Sequence, residues 1–246
     1  MIDNSNADLL RMLTSLRLHN LKENWEDVLK KADKGKPSYV KLLTTIIEQE
    51  YYGKTEKARL TRIKKANIPD VLPMETYPFS RQPRLRRQNI MGLYDSLRYM
   101  QQPNEVVFIG PTGCGKTGLA TAFLLQALNK GYKGYFIEFS DLTRRLYQSR
   151  GDHSEYKILK KLKAFDILLI DEMGYTPVEE ETSGLFFDLI KGRNRHKTTL
   201  YTSQLGFSEW NLFLPNKHMA SGLLDRITSN GTVFNMKDCV SLRAKF

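Results

Sequence analysis

Cysteine is almost missing from this 246-residue chain. The two present, Cys114 and Cys239, have neither metal-ligand nor disulfide-framework spacing, which excludes a stapled secreted scaffold and fits a reducing compartment. Long apolar runs are also missing. None approaches the ~18 residues of a membrane span, and Met1-Ile-Asp-Asn-Ser-Asn6 lacks the charged-then-apolar order of a secretory signal. A cytoplasmic protein, neither exported nor membrane-spanning, is expected. Internal repeats and low-complexity tracts do not occur. Acidic charge is in short supply, with 27 Asp+Glu against 38 Lys+Arg and a formal net charge of +11. The surplus lies mainly in the first 100 residues. It favours a polyanionic partner, nucleic acid before membrane, because no amphipathic anchor accompanies it; solubility alone is the plainer alternative.

What is present begins with helices. Leu9, Leu13 and Leu16 recur at helical spacing from Asp8 to about His19, and Trp25, Val28 and Leu29 repeat the pattern. Pro37-Ser38 reads as a stop followed by an N-cap. Tyr39 to about Lys65 then forms a longer helix with Leu42, Leu43, Ile46 and Ile47 on its apolar face. Its basic end is what a helix C-terminus favours in any case. Pro69, Pro73, Pro78 and Pro83 mark residues 67–83 as a linker, since each disfavours helix at the preceding residue. The expected organisation is a small all-α domain over 1–66, for DNA or partner binding, the Pro-rich linker, and an α/β domain over 84–246.

In that second domain, helical patterning resumes to about Met100 and short apolar strands then alternate with amphipathic helices. This is the signature of a parallel sheet covered on both faces. The strands expected are Val106 to Ile109, Gly134 to Phe139, Phe165 to Ile170 and Thr198 to Thr202, with a weaker pair at Thr232 to Asn235 and Val240 to Ala244.

Gly110-Pro-Thr-Gly-Cys-Gly-Lys-Thr117 matches G-x-x-x-x-G-K-[ST], directly after a strand and before a helical run to about Asn129. Its glycines let backbone N–H groups and the helix N-terminus cradle phosphates. Gly110, Pro111, Thr112, Gly113, Cys114, Gly115, Lys116, Thr117 and Gly118 are therefore expected to bind a nucleotide. Lys116 reaches the β/γ oxygens, and Thr117 offers its hydroxyl to Mg²⁺. Asp166-Ile-Leu-Leu-Ile-Asp-Glu172 is an apolar strand ending in two carboxylates at the edge where parallel sheets bind ligands. Asp171 can hold Mg²⁺ through water, and Glu172 can activate or orient the attacking water. The Glu after the Asp, and the lack of an Asn/Thr-Lys-x-Asp guanine reader, favour ATP over GTP. Gln204, at the end of the fourth strand, is placed to orient water or sense phosphate, with a polar strand cap as the alternative. By spacing alone, Arg226 and Arg243 read as phosphate contacts or surface ion pairs.

These motifs resemble those of AAA+ ATPases of the helicase-loader and transposition-helper branch, most closely the IstB-like helper ATPases of insertion sequences. The resemblance runs through Leu9-Leu-Arg-Met-Leu-Thr-Ser-Leu-Arg-Leu18, Phe108 to Ala120, Leu168-Leu-Ile-Asp-Glu-Met-Gly-Tyr175, Thr202-Ser-Gln-Leu-Gly-Phe-Ser-Glu-Trp210 and Leu224-Asp-Arg226, nearly the whole chain. It implies that Arg226 is an arginine finger reaching a neighbouring subunit's ATP site and Arg243 a sensor in its own subunit. It implies a homo-oligomeric ring or spiral with ATP at the subunit interfaces. Gln204 stands where the family usually has Asn as its first sensor. The resemblance also implies nucleic-acid contacts from the helices after the second strand, here Arg144, Arg145, Lys157, Lys160 and Lys161; such contacts grip phosphates without reading base sequence. The function implied is an ATP-dependent helper that assembles on double-stranded DNA, recruits a partner transposase and is released by hydrolysis. No acidic constellation of a DDE transposase accompanies it, so strand transfer belongs to the partner. The rivals are a replicative helicase loader that holds single-stranded DNA and a helicase, and a non-enzymatic module with ATP as a structural ligand.

Overall fold

The computed structural model describes residues 2–102, 104–215, 217–229 and 231–243. The chain divides into two compact units, the first ending at Thr61 and the second starting at Arg62.

The first unit is helical: α1 (Ile2–Ser15), α2 (His19–Gly35) and the start of α3 (Tyr39–Lys65). Lys36 closes α2 in a left-handed conformation, and Ser38 Oγ accepts the Lys41 N–H at 3.3 Å, capping α3 as its position in the sequence anticipates. Asn20 Nδ2 donates to the Gln49 carbonyl at 3.0 Å, and the Leu21 N–H donates to buried Glu50 at 3.2 Å, so α2 and α3 are tied by polar links. The expected single apolar face of α3 is corrected. Leu42 and Ile46 are half-buried, whereas Leu43 and Ile47 are 60% and 55% exposed, because adjacent helical residues point about 100° apart.

Residues 67–83, expected as a linker, are folded onto the second unit. Met74 and Gln82 are buried, and two short 3-10 turns (Met74–Thr76, Phe79–Arg81) carry the chain forward. Just upstream, Arg62 Nε donates to the Leu128 carbonyl, the Phe136 N–H donates to the Ala66 carbonyl at 2.7 Å, and Asn67 Nδ2 donates to the Phe136 carbonyl. The two bonds at Phe136 cover backbone groups of an edge strand that would otherwise stay open, and the Arg62 bond caps a carbonyl near the end of a helix.

Two helices follow, α4 (Arg87–Ser96) and α5 (Arg98–Gln101), where the sequence pattern reads as one; Leu97, at φ +53°, breaks them apart. The α/β core is then β1 (Glu105–Ile109), α6 (Lys116–Asn129), β2 (Gly134–Glu138), α7 (Phe139–Gly151), α8 (Glu155–Ala164), β3 (Ile167–Met173), α9 (Glu180–Arg193), β4 (Thr198–Ser203), α10 (Lys217–Ser229) and β5 (Thr232–Asn235). All strand pairs are parallel, in the order β2-β3-β4-β1-β5. Period-2 alternation feeds two cores. Val106, Phe108, Leu169 and Leu200 pack under α6, while Val107, Ile109, Leu168, Ile170 and Tyr201 pack with apolar side chains of α7, α9 and α10. At roughly 1.5–3 kcal/mol per buried large apolar side chain, these two layers dominate the stability of the unit.

Two strand expectations need correction. β3 begins at Ile167 and continues through both carboxylates to Met173. Residues 240–243 are not a strand: the Val240 N–H bonds the Gln82 side chain and the Leu242 N–H bonds the Gly113 carbonyl at 2.8 Å, so no ladder partner is engaged. Ala244 lies outside the described residues.

At the N-terminal ends of β1 and β4, Arg193 is fully buried. It donates to the carbonyls of Leu162, Phe165 and Thr198 and to Thr199 Oγ1, and burial pulls its pKa down to about 10. Nearby Glu105 is 2% exposed, and burial pushes its carboxyl up to about 7 against the opposing pull of Tyr201, Asn194 and Arg193.

Candidate active site

β4 separates β1 from β3, so the loop after β1 and the acids at the end of β3 face each other across one strand. The loop must curl sharply to enter α6. Gly113 and Gly115 adopt φ +80° and +92°, and a Cβ would fall 2.6 Å from Ser241 Oγ at the first and 2.7 Å from the Tyr77 ring at the second. Tyr77 OH and Gln82 Nε2 both donate to the Cys114 carbonyl, at 3.0 and 3.3 Å. The Cys114 side chain itself is buried in the core.

Lys116 Nζ donates to the Gly110 and Pro111 carbonyls at 2.7 and 2.8 Å. Burial lowers its pKa, and the Asp171 and Glu172 carboxylates favour its charged form. Thr117 Oγ1 lies 3.0 and 3.1 Å from the two carboxylate oxygens of Asp171. Asp171 is 4% exposed; burial raises its pKa, and hydrogen bonds from Thr202 and Thr117 lower it. Glu172 is exposed, with its N–H bound to Thr202 Oγ1 at 2.9 Å. Thr112 Oγ1 bonds both Tyr175 OH, at 3.1 Å, and Gln204 Oε1, at 3.2 Å.

These side chains line one cavity of about 180 Å³, bounded by Thr112, Gly113, Gly115, Lys116, Thr117, Glu172, Tyr175, Thr202, Gln204 and Arg243. A curled loop opening onto a helix N-terminus, with a lysine parked on its carbonyls, fits a polyphosphate. The Thr117 hydroxyl beside a buried carboxylate is a hard oxygen pair that fits Mg²⁺, whose remaining positions phosphates and waters normally fill.

Other expected residues lie elsewhere. Arg226 is on α10, its guanidinium 4.6 Å above the Phe187 ring and donating to the Gly222 carbonyl. On α7, Arg144 is exposed and paired with Asp141, while Arg145 donates to Tyr135 OH at 3.2 Å. On α8, Lys157, Lys160 and Lys161 are exposed, and Lys160 sits 5.7 Å from the Tyr156 ring centroid. Tyr77, Gln82, Tyr175 and Thr202 are the site neighbours that sequence reasoning missed as participants. The Met-Gly-Tyr after the acids and the polar Thr202-Ser-Gln204 end of the fourth strand gave a signal for Tyr175 and Thr202, but no role for either.

The matching family model is described as an IstB-like ATP binding protein and covers residues 11–245. An insertion sequence IS5376 protein of Geobacillus stearothermophilus, described as ATP-binding, is 32% identical over 90% of this chain and 88% of its own length. A protein of insertion sequence IS21 from Pseudomonas aeruginosa, also described as ATP-binding, is 29% identical over 92% of this chain and 85% of its own. In solved structures, the DnaC helicase loader aligns with TM-score 0.54 and 22% identity over 70% of this chain and 97% of that one. DnaI aligns with TM-score 0.56 and 17% identity over 67% and 90%. At these identities the likeness shows the fold, a P-loop AAA+ sheet flanked by helices. Sequence and fold together place the chain in one family: it belongs to the IstB-like ATP binding proteins of insertion sequences.

Proposed function

We propose that this protein is an Mg-dependent ATPase that assembles as a homo-oligomer on double-stranded DNA, recruits a partner transposase and is released from DNA by hydrolysis. The observation that carries the proposal is the single cavity in which Lys116, Thr117 and Glu172 converge beside buried Asp171, in a chain whose relatives belong to insertion sequences.

The loop amides and Lys116 bind the β/γ phosphates, which draws the ammonium group from the two carbonyls it now bonds. Thr117 and Asp171 would hold Mg²⁺, which would offset charge on the phosphate oxygens. Glu172 orients a water and takes its proton as the water attacks the γ-phosphorus; the bond to the β-phosphate oxygen breaks and ADP leaves. Gln204, fixed by Thr112 through its carbonyl oxygen, keeps its amide NH₂ free for the γ-phosphate. Arg243 acts within its own subunit, where it lines the cavity. Arg226 lies outside that cavity and serves a neighbour's site, which makes hydrolysis depend on assembly. Arg144, Arg145, Lys157, Lys160 and Lys161 grip DNA phosphates.

Fluorescence anisotropy of labelled duplex and single-stranded DNA of equal length, at fixed salt, with Mg-ATP, with Mg-ADP and without nucleotide, tests this reading. Preferential duplex binding with Mg-ATP is expected. Preference for single strands moves the assignment to a helicase loader, and nucleotide-independent binding to both overturns the ATP switch.

A further inference from the structure

The Asp171–Glu172 step is a β-bulge. Ile170 pairs with Tyr201 and Met173 with Ser203, so two residues of β3 stand opposite one residue of β4, Thr202. Glu172 adopts φ +60°, a left-handed conformation that residues bearing a Cβ adopt rarely. The bulge takes the Glu172 N–H out of the ladder, and a backbone N–H at such a place needs another acceptor. Thr202 Oγ1 supplies it at 2.9 Å. The proton of the same hydroxyl goes to Asp171 Oδ1 at 2.5 Å. One oxygen thus uses its donor on one acid and its acceptor on the backbone of the next. Thr202 is 1% exposed, so in the native chain both bonds are made out of contact with bulk solvent. Beyond the bulge, Ser203 Oγ donates to the Met173 carbonyl at 2.9 Å, which fixes the register on the far side.

We propose that Thr202 is the positioning residue of this site: its hydroxyl sets the Asp171 carboxylate against Thr117 and holds Glu172 in the bulged turn that brings it to the cavity wall. The proposal rests on the hydrolysis reading above. A purely structural Thr202 makes a different claim, because valine fills the same space and suits a buried strand at least as well. Valine lacks the hydroxyl, which takes from the part-buried Glu172 N–H its side-chain acceptor and frees one side of Asp171. Serine keeps it.

The test compares the native chain with Thr202→Val, Thr202→Ala and Thr202→Ser, using a fluorescent ATP analogue in EDTA and in saturating Mg²⁺, together with steady-state turnover. In EDTA all four should bind within about twofold of one another, because the phosphate loop is untouched. The gain in affinity on adding Mg²⁺ should shrink roughly tenfold in Thr202→Val and Thr202→Ala, the loss expected of a charge-assisted hydrogen bond, and persist in Thr202→Ser. Turnover should fall about 100-fold in the first two, mainly in kcat, and stay within about threefold in the serine variant. The alanine variant decides the matter if valine does not fold. An unchanged Mg²⁺ gain in Val and Ala, equal loss of affinity in EDTA, or a serine variant as impaired as valine overturns the proposal. A native protein that binds Mg-ATP without turning it over sinks the hydrolysis reading alone, since the metal-dependent binding still decides the role of Thr202.

Discussion

Lys116 holds its ammonium on two loop carbonyls in a half-buried setting that already lowers its pKa. Removing it leaves the phosphate loop without its cation, and Lys116→Ala is expected to weaken ATP binding by about 100-fold or more in an equilibrium titration. Glu172→Gln should instead leave affinity within about twofold and lower turnover roughly 10²–10⁴-fold, the usual scale of a lost general base, as measured by phosphate release. Glu105 carries a pH prediction. Its folded value of about 7 lies above the ordinary 4.5, so its contribution to stability is whole below about pH 4.5 and is lost as pH rises through 7. Glu105→Gln should match the native chain near pH 5 and exceed it by about 1–3 kcal/mol at pH 8 in urea unfolding. The placing of Lys116, Thr117, Asp171 and Glu172 around one site was legible in the sequence because contiguous motifs put them at strand ends. Thr202 was legible only as part of a polar strand end, because its bond to the Glu172 N–H depends on a bulge in a neighbouring strand, and residue spacing does not encode a bulge.

Among the elements, the strands could be located closely because each is a short apolar run between helices; their errors fall where polar side chains decide the ends. β3 extends past Ile170 since Asp171 and Glu172 find partners on β4, and 240–243 fails to pair since Gln82 and Gly113 take its backbone groups. The Pro-rich segment was read as a tether from its prolines. Proline forbids helix but does not forbid packing, and Met74, Tyr77 and Gln82 carry that segment onto the phosphate loop. Gln82 is the tie: its Nε2 donates to the Val240 carbonyl at 2.7 Å and its Oε1 accepts the Val240 N–H at 2.9 Å. Gln82→Leu, which leaves these buried groups unmade, should cost about 2–3 kcal/mol in chemical denaturation. ATP affinity should fall with it, because the Cys114 carbonyl loses one of its two side-chain donors.

At the scale of the whole molecule, the chain joins a helical unit to an α/β unit whose cavity is lined by Lys116, Thr117, Glu172, Gln204 and Arg243, whereas Arg226 lies outside it. That placement predicts complementation between subunits. Arg226→Ala and Lys116→Ala chains, each nearly inactive alone, should recover a measurable fraction of native turnover when mixed, because mixed neighbours pair an intact phosphate loop with an intact arginine. Phosphate release across mixing ratios checks this, and a flat profile contradicts a shared site. The central claim is that ATP in this cavity governs the hold on DNA. It is tested most directly by the rate at which preformed complexes leave labelled duplex DNA after dilution into excess unlabelled duplex, in Mg-ATP at fixed salt, for the native chain and Glu172→Gln. The account predicts that native complexes leave at their turnover rate and that Glu172→Gln complexes persist about 100-fold longer. Equal rates of departure would contradict it.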